Sequence, residues 1–298
     1  IRGFGAEQWL DGLAVTYTTG FRDALAHVER IEVLKGPNAI LYGGGPGAPI
    51  GGGGKVISKL PTPIAHSEYG FTVGSHVYLR PFFDINQPIS ADGTVLFRVT
   101  GEYLSAGSFV DVIETKNYFI NPSLTFTNKT DTSLTIQARL SRAEQQAYPG
   151  LPVTGTLVGG FRLDPDTFLG PKDMRPSTSE VQGLTVTFDH RFNPFLSANI
   201  KARVDQSKFA QFSQLLLNGD FSGGTPLLPP STWALANTEL VQDQTSFAIN
   251  PSLQAKFDFG ASRNTLTVGA DYSRVTDKGH MYSDFLGNGC FFFISPLC

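Results

Sequence analysis

The sequence predicts an all-β fold: a partial transmembrane antiparallel β-barrel, about nine strands of a larger barrel, preceded by a compact glycine-rich unit. Three observations predict this fold. From Ser67 onward, apolar and polar residues alternate, so each strand has one apolar and one polar face. The alternating runs reach roughly ten residues, which exceeds the usual soluble strand and is long enough to cross a bilayer when tilted. The connections alternate between short turns and long loops, as they do in outer-membrane barrels.

The composition agrees with a protein made of strands and turns. The 298 residues include 32 glycines and 24 phenylalanines, and only 16% of them are charged. Glycine favours turns, and aromatic residues favour strands. With a net charge of −3 and no cluster of Lys and Arg, nucleic acid is not an expected partner. No apolar run is long enough for a transmembrane helix, but barrel strands cross a membrane on weaker, alternating signals.

The chain divides where the composition changes. Residues 1–62 form the compact unit, and residues 63–298 form the predicted barrel wall. Within the first unit, Glu29–Pro37 contains a short apolar stretch that suits a buried strand. The run Gly43–Gly54 follows it, and a segment so rich in glycine needs packing from outside to stay ordered. A surrounding wall would provide that packing.

The alternation also predicts which side chains face the lipid. Lys201, Arg203 and Asp205 share one face of a strand, which is either a solvated face or a lumen wall that hydrogen-bonds the first unit. A charge on the lipid side costs about 2–4 kcal/mol at the midplane, so in a barrel these residues must face inward. We expect an inward set of Arg139, Lys201, Arg203 and Lys256, and an outward set of Leu134, Ile136, Leu196, Ile200, Phe247 and Leu266.

The connections predict the two ends of the wall. The tight turns are Ser90–Gly93, Asn128–Asp131, Phe192–Pro194 and Gly260–Arg263, and the long loops are Ser105–Thr115, Gln146–Ser179, Ala210–Thr238 and one that opens at Thr276. A plugged barrel has about 22 strands, and a unit of about 60 residues has a radius of gyration near 11 Å. Such a unit does not fit inside nine strands, so we expect an incomplete wall with two open edges. A soluble β-sandwich is the alternative fold.

Other motifs predict no catalytic or metal chemistry. Gly54-Lys55 fails as a phosphate loop, because Pro49 stands where a glycine is needed and Val56 follows the lysine. The five histidines have no ligand spacing, so no metal site is predicted. No nucleophile and base can be paired from the sequence, and we expect no enzyme activity.

The first unit resembles a known family. Five motifs carry the resemblance in order and spacing: Ile1-Arg2-Gly3-Phe4, Asp11-Gly12, Glu29–Pro37, Leu41-Tyr42-Gly43 and Ser58-Lys59-Leu60-Pro61. They resemble the second half of the plug domain of TonB-dependent outer-membrane receptors, most of all the ferric-siderophore branch. One departure is the run Gly51–Val56, where the family usually has a Gly-Gly-x-Ile-Asn step.

The resemblance implies a receptor of the bacterial outer membrane that binds a ferric siderophore and imports it with energy from TonB. The implied partners are the ferric siderophore, TonB and outer-membrane lipid. No cofactor is implied, because the iron arrives already chelated. The same architecture could instead import haem, cobalamin or a glycan. We expect the TonB-engaging segment and further strands to lie outside this chain.

The resemblance also suggests ligand contacts. Gln8 and Trp9 lie in one loop facing the extracellular vestibule, Tyr17 and Phe21 lie in another, and Tyr148 starts a long outer loop. Aromatic rings suit large, planar or amide-rich ligands. These five are the predicted ligand-binding residues, although each aromatic ring is as well suited to packing within the plug or wall.

Three other residues allow further predictions. Cys290 and Cys298 would pair as a disulfide across a short loop if the protein is exported. Trp233 suits either the membrane interface or the core of a loop.

Overall fold

The computed structural model describes residues 7–16, 24–36, 51–217, 225–229, 231–260, 262–284 and 292–294. Most of them form strands, arranged in a four-stranded and an eleven-stranded sheet. The four-stranded sheet has the order β2-β1-β4-β3, and its strands are β1 (Glu7–Leu10), β2 (Leu13–Ala14), β3 (Val28–Lys35) and β4 (Gly52–Ser58). The domain boundary at residue 62 stays a prediction, and the chain passes from one sheet to the other between Ser58 and His66.

The larger sheet is antiparallel throughout. Its strands are β5 (His66–Gly74), β6 (Tyr78–Pro88), β7 (Val95–Gly107), β8 (Glu114–Thr127), β9 (Thr132–Gln145), β10 (Ser177–Arg191), β11 (Leu196–Leu217), β12 (Trp233–Phe259), β13 (Ser262–Gly269), β14 (Tyr272–Ser283) and β15 (Phe292–Ile294). A short turn, Val153–Thr156, lies between β9 and β10, and Thr154 and Gly155 within it have non-helical backbone angles. Strands β13 and β14 keep one register against β12, so they act as one interrupted strand. The path from β5 to β13 therefore has nine strands, which confirms the predicted count.

The small sheet is built around a tight hairpin and a glycine strand. Asp11 and Gly12 have φ angles of 52° and 89°, the positive values that a two-residue hairpin turn of type I′ requires. Strand β1 then pairs in parallel with β4. At Gly53 a Cβ atom would lie 1.9 Å from the ring of Trp9, so no larger residue fits beneath that ring. The glycine at this position lets β1 and β4 approach each other.

The turns lie where they were predicted, but three strands are longer than expected. The predicted start of the last loop at Thr276 is wrong, because Thr276 pairs with Thr245 and β14 runs on to Ser283. The connections of the predicted short end are residues 89–94, 128–131, 192–195 and 260–261. The predicted loop Ala210–Thr238 is wrong at both ends, because β11 runs to Leu217 and β12 begins at Trp233. Polar side chains continue the ladder there: the amide of Gln214 donates to Asn237 at 2.8 Å.

The predicted faces are confirmed. Arg139 and Arg203 are 8% and 3% exposed and lie on the face that meets the small sheet, together with Lys201. Lys256 is exposed, and the unbroken register of β12 places it on the same face as Ser246. The outward set is on the opposite face, where Leu266 is 55% exposed and Phe247 is 38% exposed. An apolar outward face with charges inward is the arrangement that lipid requires.

The outward face turns polar towards the loop end. On β11 the apolar outward positions run from Leu196 to Val204, and Lys208 then lies opposite Asp243 of β12. This change marks where the strands leave the apolar band.

The large sheet is open. Among the residues that the structure describes, β5 pairs only with β6, and the β13 and β14 strand pairs only with β12. The prediction of two open edges is confirmed, and the soluble β-sandwich is wrong, because the strands form one curved sheet. No helix in the described ranges is long and apolar enough to span a membrane, and that finding does not bear on strands.

Candidate functional site

In the part of the chain that the structure describes, hydrogen bonds and ion pairs attach the small sheet, which we call the plug sheet, to the inward face of the wall at two places. The first is the acidic anchor, formed by Asp84, Asn86, Arg98 and Glu102 of β6 and β7. Asp84 pairs with Lys59 at 2.9 Å and with Arg98 at 2.8 Å, and its side chain is 3% exposed. A carboxylate so deeply buried is stable only when it is paired, so both cations are needed.

The acidic anchor also binds the chain that leads from the plug sheet into the wall. Asn86 accepts a hydrogen bond from the Thr62 amide at 2.8 Å and donates to the Thr62 hydroxyl at 2.9 Å and the Ile64 carbonyl at 2.6 Å. Glu102 accepts one from the amide of Ala26 at 3.1 Å and pairs with Arg80 at 2.7 Å. Asn86 of β6 therefore holds the segment that follows the plug sheet, and Glu102 of β7 holds the segment that precedes β3.

The second attachment is the basic clamp, formed by Lys201 and Arg203 of β11. Lys201 donates to the carbonyl of Asp11, and Arg203 donates to the carbonyls of Leu10, at 3.2 Å, and Ala14. All three acceptors belong to the β1–β2 hairpin, so one strand of the wall holds that whole hairpin. The prediction that these cations hydrogen-bond the first unit is confirmed.

Two further carboxylates complete the clamp. Arg203 donates to Asp205 at 2.7 Å within β11, and Ser246 of β12 donates to the same carboxylate at 3.4 Å. The carboxylate of Asp11 accepts hydrogen bonds from the amide and the hydroxyl of Ser58, both at 2.8 Å. Asp11 thus joins the hairpin to β4 by its side chain and to β11 by its backbone.

Two adjoining cavities separate the hairpin from strands β9 and β10. The smaller has a volume of about 10 Å³ and lies beside Arg203 and Asp205. The larger, of about 250 Å³, lies beside Lys201. Both are lined by Gln137 and Thr185 of the wall. A polar space of about 10 Å³ has room for one water molecule, so water can occupy this interface.

His27 fills the centre of the interface without being charged. It is 2% exposed, and its ring centroid lies 4.4 Å from that of Phe119 on β8. Burial, and then the positive charges of Arg139 and Lys59, lower the pKa of His27 to about 3. The imidazole is therefore neutral at physiological pH, and it packs against the wall as an aromatic ring.

The long connections form an ordered layer at the other end of the wall. Trp233 is 0% exposed, and Phe161 meets it edge-on at 6.3 Å between ring centroids. Arg175 lies 3.6 Å over the ring of Phe212 and pairs with Glu239 at 3.1 Å. Trp233 is therefore a loop-core residue, which decides between its two predicted roles.

The described ligand-binding candidates lie on two different elements. The expected loop position of Gln8 and Trp9 is wrong, because both residues lie on β1, where Gln8 is exposed and Trp9 is 4% exposed. Little of the Trp9 ring is open to a ligand in this conformation, because it packs over Gly53. Tyr17 and Phe21 lie outside the described residues, as do both cysteines of the expected disulfide, Cys290 and Cys298. The ligand roles stay predictions.

Tyr148 is the candidate in the loop layer. Its ring stacks on Phe168 with 6.2 Å between centroids, and 36% of the residue is exposed. Partial burial raises the pKa of the Tyr148 hydroxyl, which therefore stays protonated and able to donate a hydrogen bond.

The acidic anchor is the functional feature that sequence reasoning missed. Its residues show the right signal, since Asp84, Arg98 and Glu102 all occupy inward positions of predicted strands. What the sequence does not show is the register that brings Asp84 beside Arg98. In the same region, His66, Glu68 and Asp84 offer ligand atoms within 4.8 Å of one another. A metal ion there would have to compete with the two cations that already pair with Asp84.

The chain is similar in sequence to known outer-membrane transporters and receptors. No protein-family model matches the chain. The chain is 29% identical to the ferrichrome outer membrane transporter/phage receptor of Escherichia coli (strain K12), over 92% of the chain and 39% of that protein. It is 26% identical to the ferrioxamine B receptor of Salmonella typhimurium (strain SL1344), over 89% of the chain and 37% of that protein.

A solved structure shows the same fold. The P. aeruginosa protein FpvA, in complex with a heterologous pyoverdine and iron, superposes with a TM-score of 0.81 at 22% identity, over 94% of this chain and 37% of that one. The chain spans about two fifths of the length of the relatives that it matches.

Proposed function

We propose that this chain, whose sequence and fold match a portion of a TonB-dependent outer-membrane receptor of the ferric-siderophore branch, serves in the import of a ferric siderophore across the bacterial outer membrane with energy from TonB. The observation that carries the proposal is the contact between two separate sheets that differ in the polarity of their faces. A small sheet with a buried, polar interface is held against the charged face of a wall whose other face is apolar.

Each sheet suits a gated importer. The apolar outward face of the wall suits lipid, and its polar inward face suits a solute path. The plug sheet is attached to the wall by hydrogen bonds and ion pairs at the acidic anchor and the basic clamp, and such polar contacts can be exchanged for water when the two sheets separate.

The ligand class follows from the relatives. They are named for ferrichrome and ferrioxamine B, and the structural relative was solved with a pyoverdine and iron. We propose that the ferric siderophore binds beside Tyr148 of the loop layer, with Gln8, Tyr17 and Phe21 as further predicted contacts. Trp9 is also a predicted contact, but its ring packs on Gly53, so the plug sheet would have to rearrange before this ring meets the ligand. The iron is cargo, so no resident cofactor is proposed, and no catalytic role is proposed either.

The proposed partners are TonB and outer-membrane lipid. TonB would add a strand to an extended segment of the complete receptor. The lipid would cover the outward set of apolar side chains on β9 to β13.

The test is uptake by the complete receptor. A strain that lacks the receptor would be complemented with it, and radioactive iron would be supplied as ferrichrome, as ferrioxamine B or as a ferric catecholate. We expect accumulation of iron from at least one of these, and its loss when TonB is removed. If the cells took up only haem, cobalamin or a glycan, the proposal that the ligand is a ferric siderophore would be wrong. Uptake of iron without TonB would contradict the proposed energy source.

A further inference from the structure

The inward face of the wall changes in charge along the strands. Around the plug sheet it carries the charged residues of the anchor and the clamp, among them Asp84, Arg98, Lys201 and Arg203. From there to the loop end no register shift interrupts the pairing of β8 to β12. The parity of a residue therefore assigns it to a face, and the two parts of the inward face can be compared.

We call the inward positions of β8 to β12 on the loop side of Phe119, Arg139, Gly183, Asp205 and Ser246 the upper inward surface. None of these positions, all of which lie in strands that the structure describes, holds a charged residue. They hold Ser, Thr, Asn and Gln together with Ala, Val, Leu and Phe. Among the polar ones are Asn117, Ser141, Gln145, Gln211, Gln242 and Gln244. The surface is thus polar but uncharged.

The charged residues of the same strand segments lie on the outward face. Lys116 pairs there with Glu114 at 2.8 Å. Arg142 pairs with Glu144 at 2.6 Å and also with Glu180. Charged residues are therefore common at this height of the wall, and they are segregated to one of its two faces.

Strand β14 extends the inward surface with a negative charge and no positive one. Asp277 lies opposite Gln244 and accepts a hydrogen bond from Gln242 at 3.2 Å. Lys278 and His280 have the opposite parity, so they face outward. An anionic solute beside β14 would be repelled by Asp277.

The outer part of the upper inward surface is open. Gln145 and Gln211 are exposed, whereas Ser207, close to the clamp, is buried. The nearest inward cations are Arg139 and Arg203, which are 8% and 3% exposed. A solute that arrives from the loop end therefore meets amide groups before it reaches a positive charge of these strands.

The charge of a ferric complex decides whether such a surface suits it. An anion that leaves water is destabilised unless a cation compensates it, and hydroxyl and amide groups supply hydrogen bonds but no net charge. A ferric ion bound by three dianionic catecholate groups keeps a threefold negative charge. Bound by three monoanionic hydroxamate groups it is neutral, and the oxygen atoms of that complex can accept hydrogen bonds from Ser, Asn and Gln side chains.

We infer that the upper inward surface selects an uncharged ferric complex of the hydroxamate type and disfavours ferric tris-catecholates. Gln145 and Gln211 are the exposed specificity-determining positions, because they are amides where an anionic ligand would require cations. The inference rests on the proposed import function, since it names the class of siderophore that this function would use.

The test is equilibrium binding of three ferric chelates to the complete receptor in detergent. Two are synthetic and share one tripodal scaffold, which carries three hydroxamate groups in one and three catecholate groups in the other. The third is ferrichrome, a neutral trihydroxamate. We expect each neutral chelate to bind about tenfold more tightly than the tris-catecholate, or better, because no inward cation of the described strands is open to compensate the anion.

Two lysine variants and a matched control test the surface itself. Gln211→Lys and Gln145→Lys each add an ammonium group to the upper inward surface, and each should shift the ratio of the two affinities several-fold towards the tris-catecholate. High salt should reduce this shift, because exposed charges are screened. Gln206→Lys makes the same exchange on the outward face of β11 and should leave the ratio unchanged. Either inward variant suffices if the other does not reach the outer membrane.

Three results would overturn the inference. The first is a wild-type receptor that binds the tris-catecholate as tightly as the neutral chelates or more tightly. The second is an unchanged affinity ratio in both inward lysine variants. The third is an equal shift in Gln206→Lys, which would mean that the face does not matter. In all three cases the receptor still binds a ferric siderophore, so the proposed function stands. Binding of none of the chelates would overturn the proposed function, and the inference with it.

Discussion

Arg203 and Asp205 lie two positions apart on the inward face of β11, and they form a 2.7 Å ion pair while each side chain is only 3% exposed. A pair so fully buried holds its position only because each partner compensates the other, and breaking such a pair by removing one partner costs about 3–5 kcal/mol. The hairpin of the plug sheet depends on this pair, because Asp205 orients the guanidinium that binds Leu10 and Ala14.

We therefore expect Asp205→Leu to destabilise the complete receptor by about 3–5 kcal/mol, because Arg203 keeps its charge in a buried site. The double variant Arg203→Met, Asp205→Leu should be less destabilised than Asp205→Leu alone. The loss of stability is measured by heating each variant in detergent and monitoring unfolding as a change in gel mobility. A double variant with the summed loss of the two single variants would show that the pair is not coupled.

Gly53→Ala should destabilise the plug sheet by about 1–3 kcal/mol, because an added methyl group would overlap the Trp9 ring. Gly54→Ala is the matched control, since nothing lies within 4 Å of a Cβ at that position. Hydrogen exchange of the β1 and β4 amides in the complete receptor gives the readout. Equal exchange in the two variants would mean that Trp9 does not pack as described.

Asp11→Ala should speed hydrogen exchange in the β1–β2 hairpin, because it removes two charge-assisted hydrogen bonds to Ser58 worth about 1.5–3 kcal/mol each. Asp92→Ala, in the exposed turn between β6 and β7, is the control and should leave the hairpin unchanged. Unaltered hydrogen exchange in Asp11→Ala would show that the Asp11 carboxylate does not hold the hairpin to β4.

His27 should make the plug sheet sensitive to acid. Its pKa is about 3 in the folded protein and about 6.5 when unfolded, so between these values the unfolded state binds more protons. Stability is therefore complete above pH 6.5 and falls as the pH is lowered, by about 2 kcal/mol at pH 5.

The measurement is plug-sheet hydrogen exchange at pH 7 and pH 5 in the complete receptor, corrected for the intrinsic pH dependence of exchange. His27→Phe should abolish the extra loss at pH 5, since phenylalanine does not titrate. His190→Gln, on the outward face, should not. The same acid sensitivity in wild type and His27→Phe would exclude His27 as its source.

Tyr148→Ala should weaken ferric-siderophore binding by about 1 kcal/mol or more if the loop layer is the entry site, since a packed aromatic contact is lost. Leu157→Ala, in the same connection and 75% exposed, is the control for loop disturbance. Equilibrium binding to the complete receptor in detergent measures both variants. Unchanged affinity in Tyr148→Ala would move the ligand site elsewhere.

The faces of the wall could be predicted from the sequence because alternation is a local property. A residue such as Arg139 or Ile200 needs only its parity within one strand to be assigned to a face. The end of β11 could not be predicted in this way. Between Gln211 and Gln214 apolar alternation stops, yet the backbone ladder continues with polar pairs across to β12.

The candidate site was only partly predictable. Lys201 and Arg203 were assigned to a lumen wall because a charge facing lipid is unfavourable. Their acceptors are backbone carbonyls in a hairpin that is far away in sequence. Every residue has a backbone carbonyl, so the residue types in the hairpin could not identify these acceptors. The Asp84 and Arg98 pair depends on the register between β6 and β7, which an isolated sequence does not specify.

The length of β11 has a consequence for what can touch this protein from outside. The unbroken run of apolar outward positions ends at Val204, and the strand continues for 13 residues to Leu217. At about 3.3 Å per residue this is roughly 40 Å of strand, and it stays paired with β12 to its last residue. A molecule that approaches the wall from the loop end would therefore meet a stretch of paired strands before it reaches the apolar band.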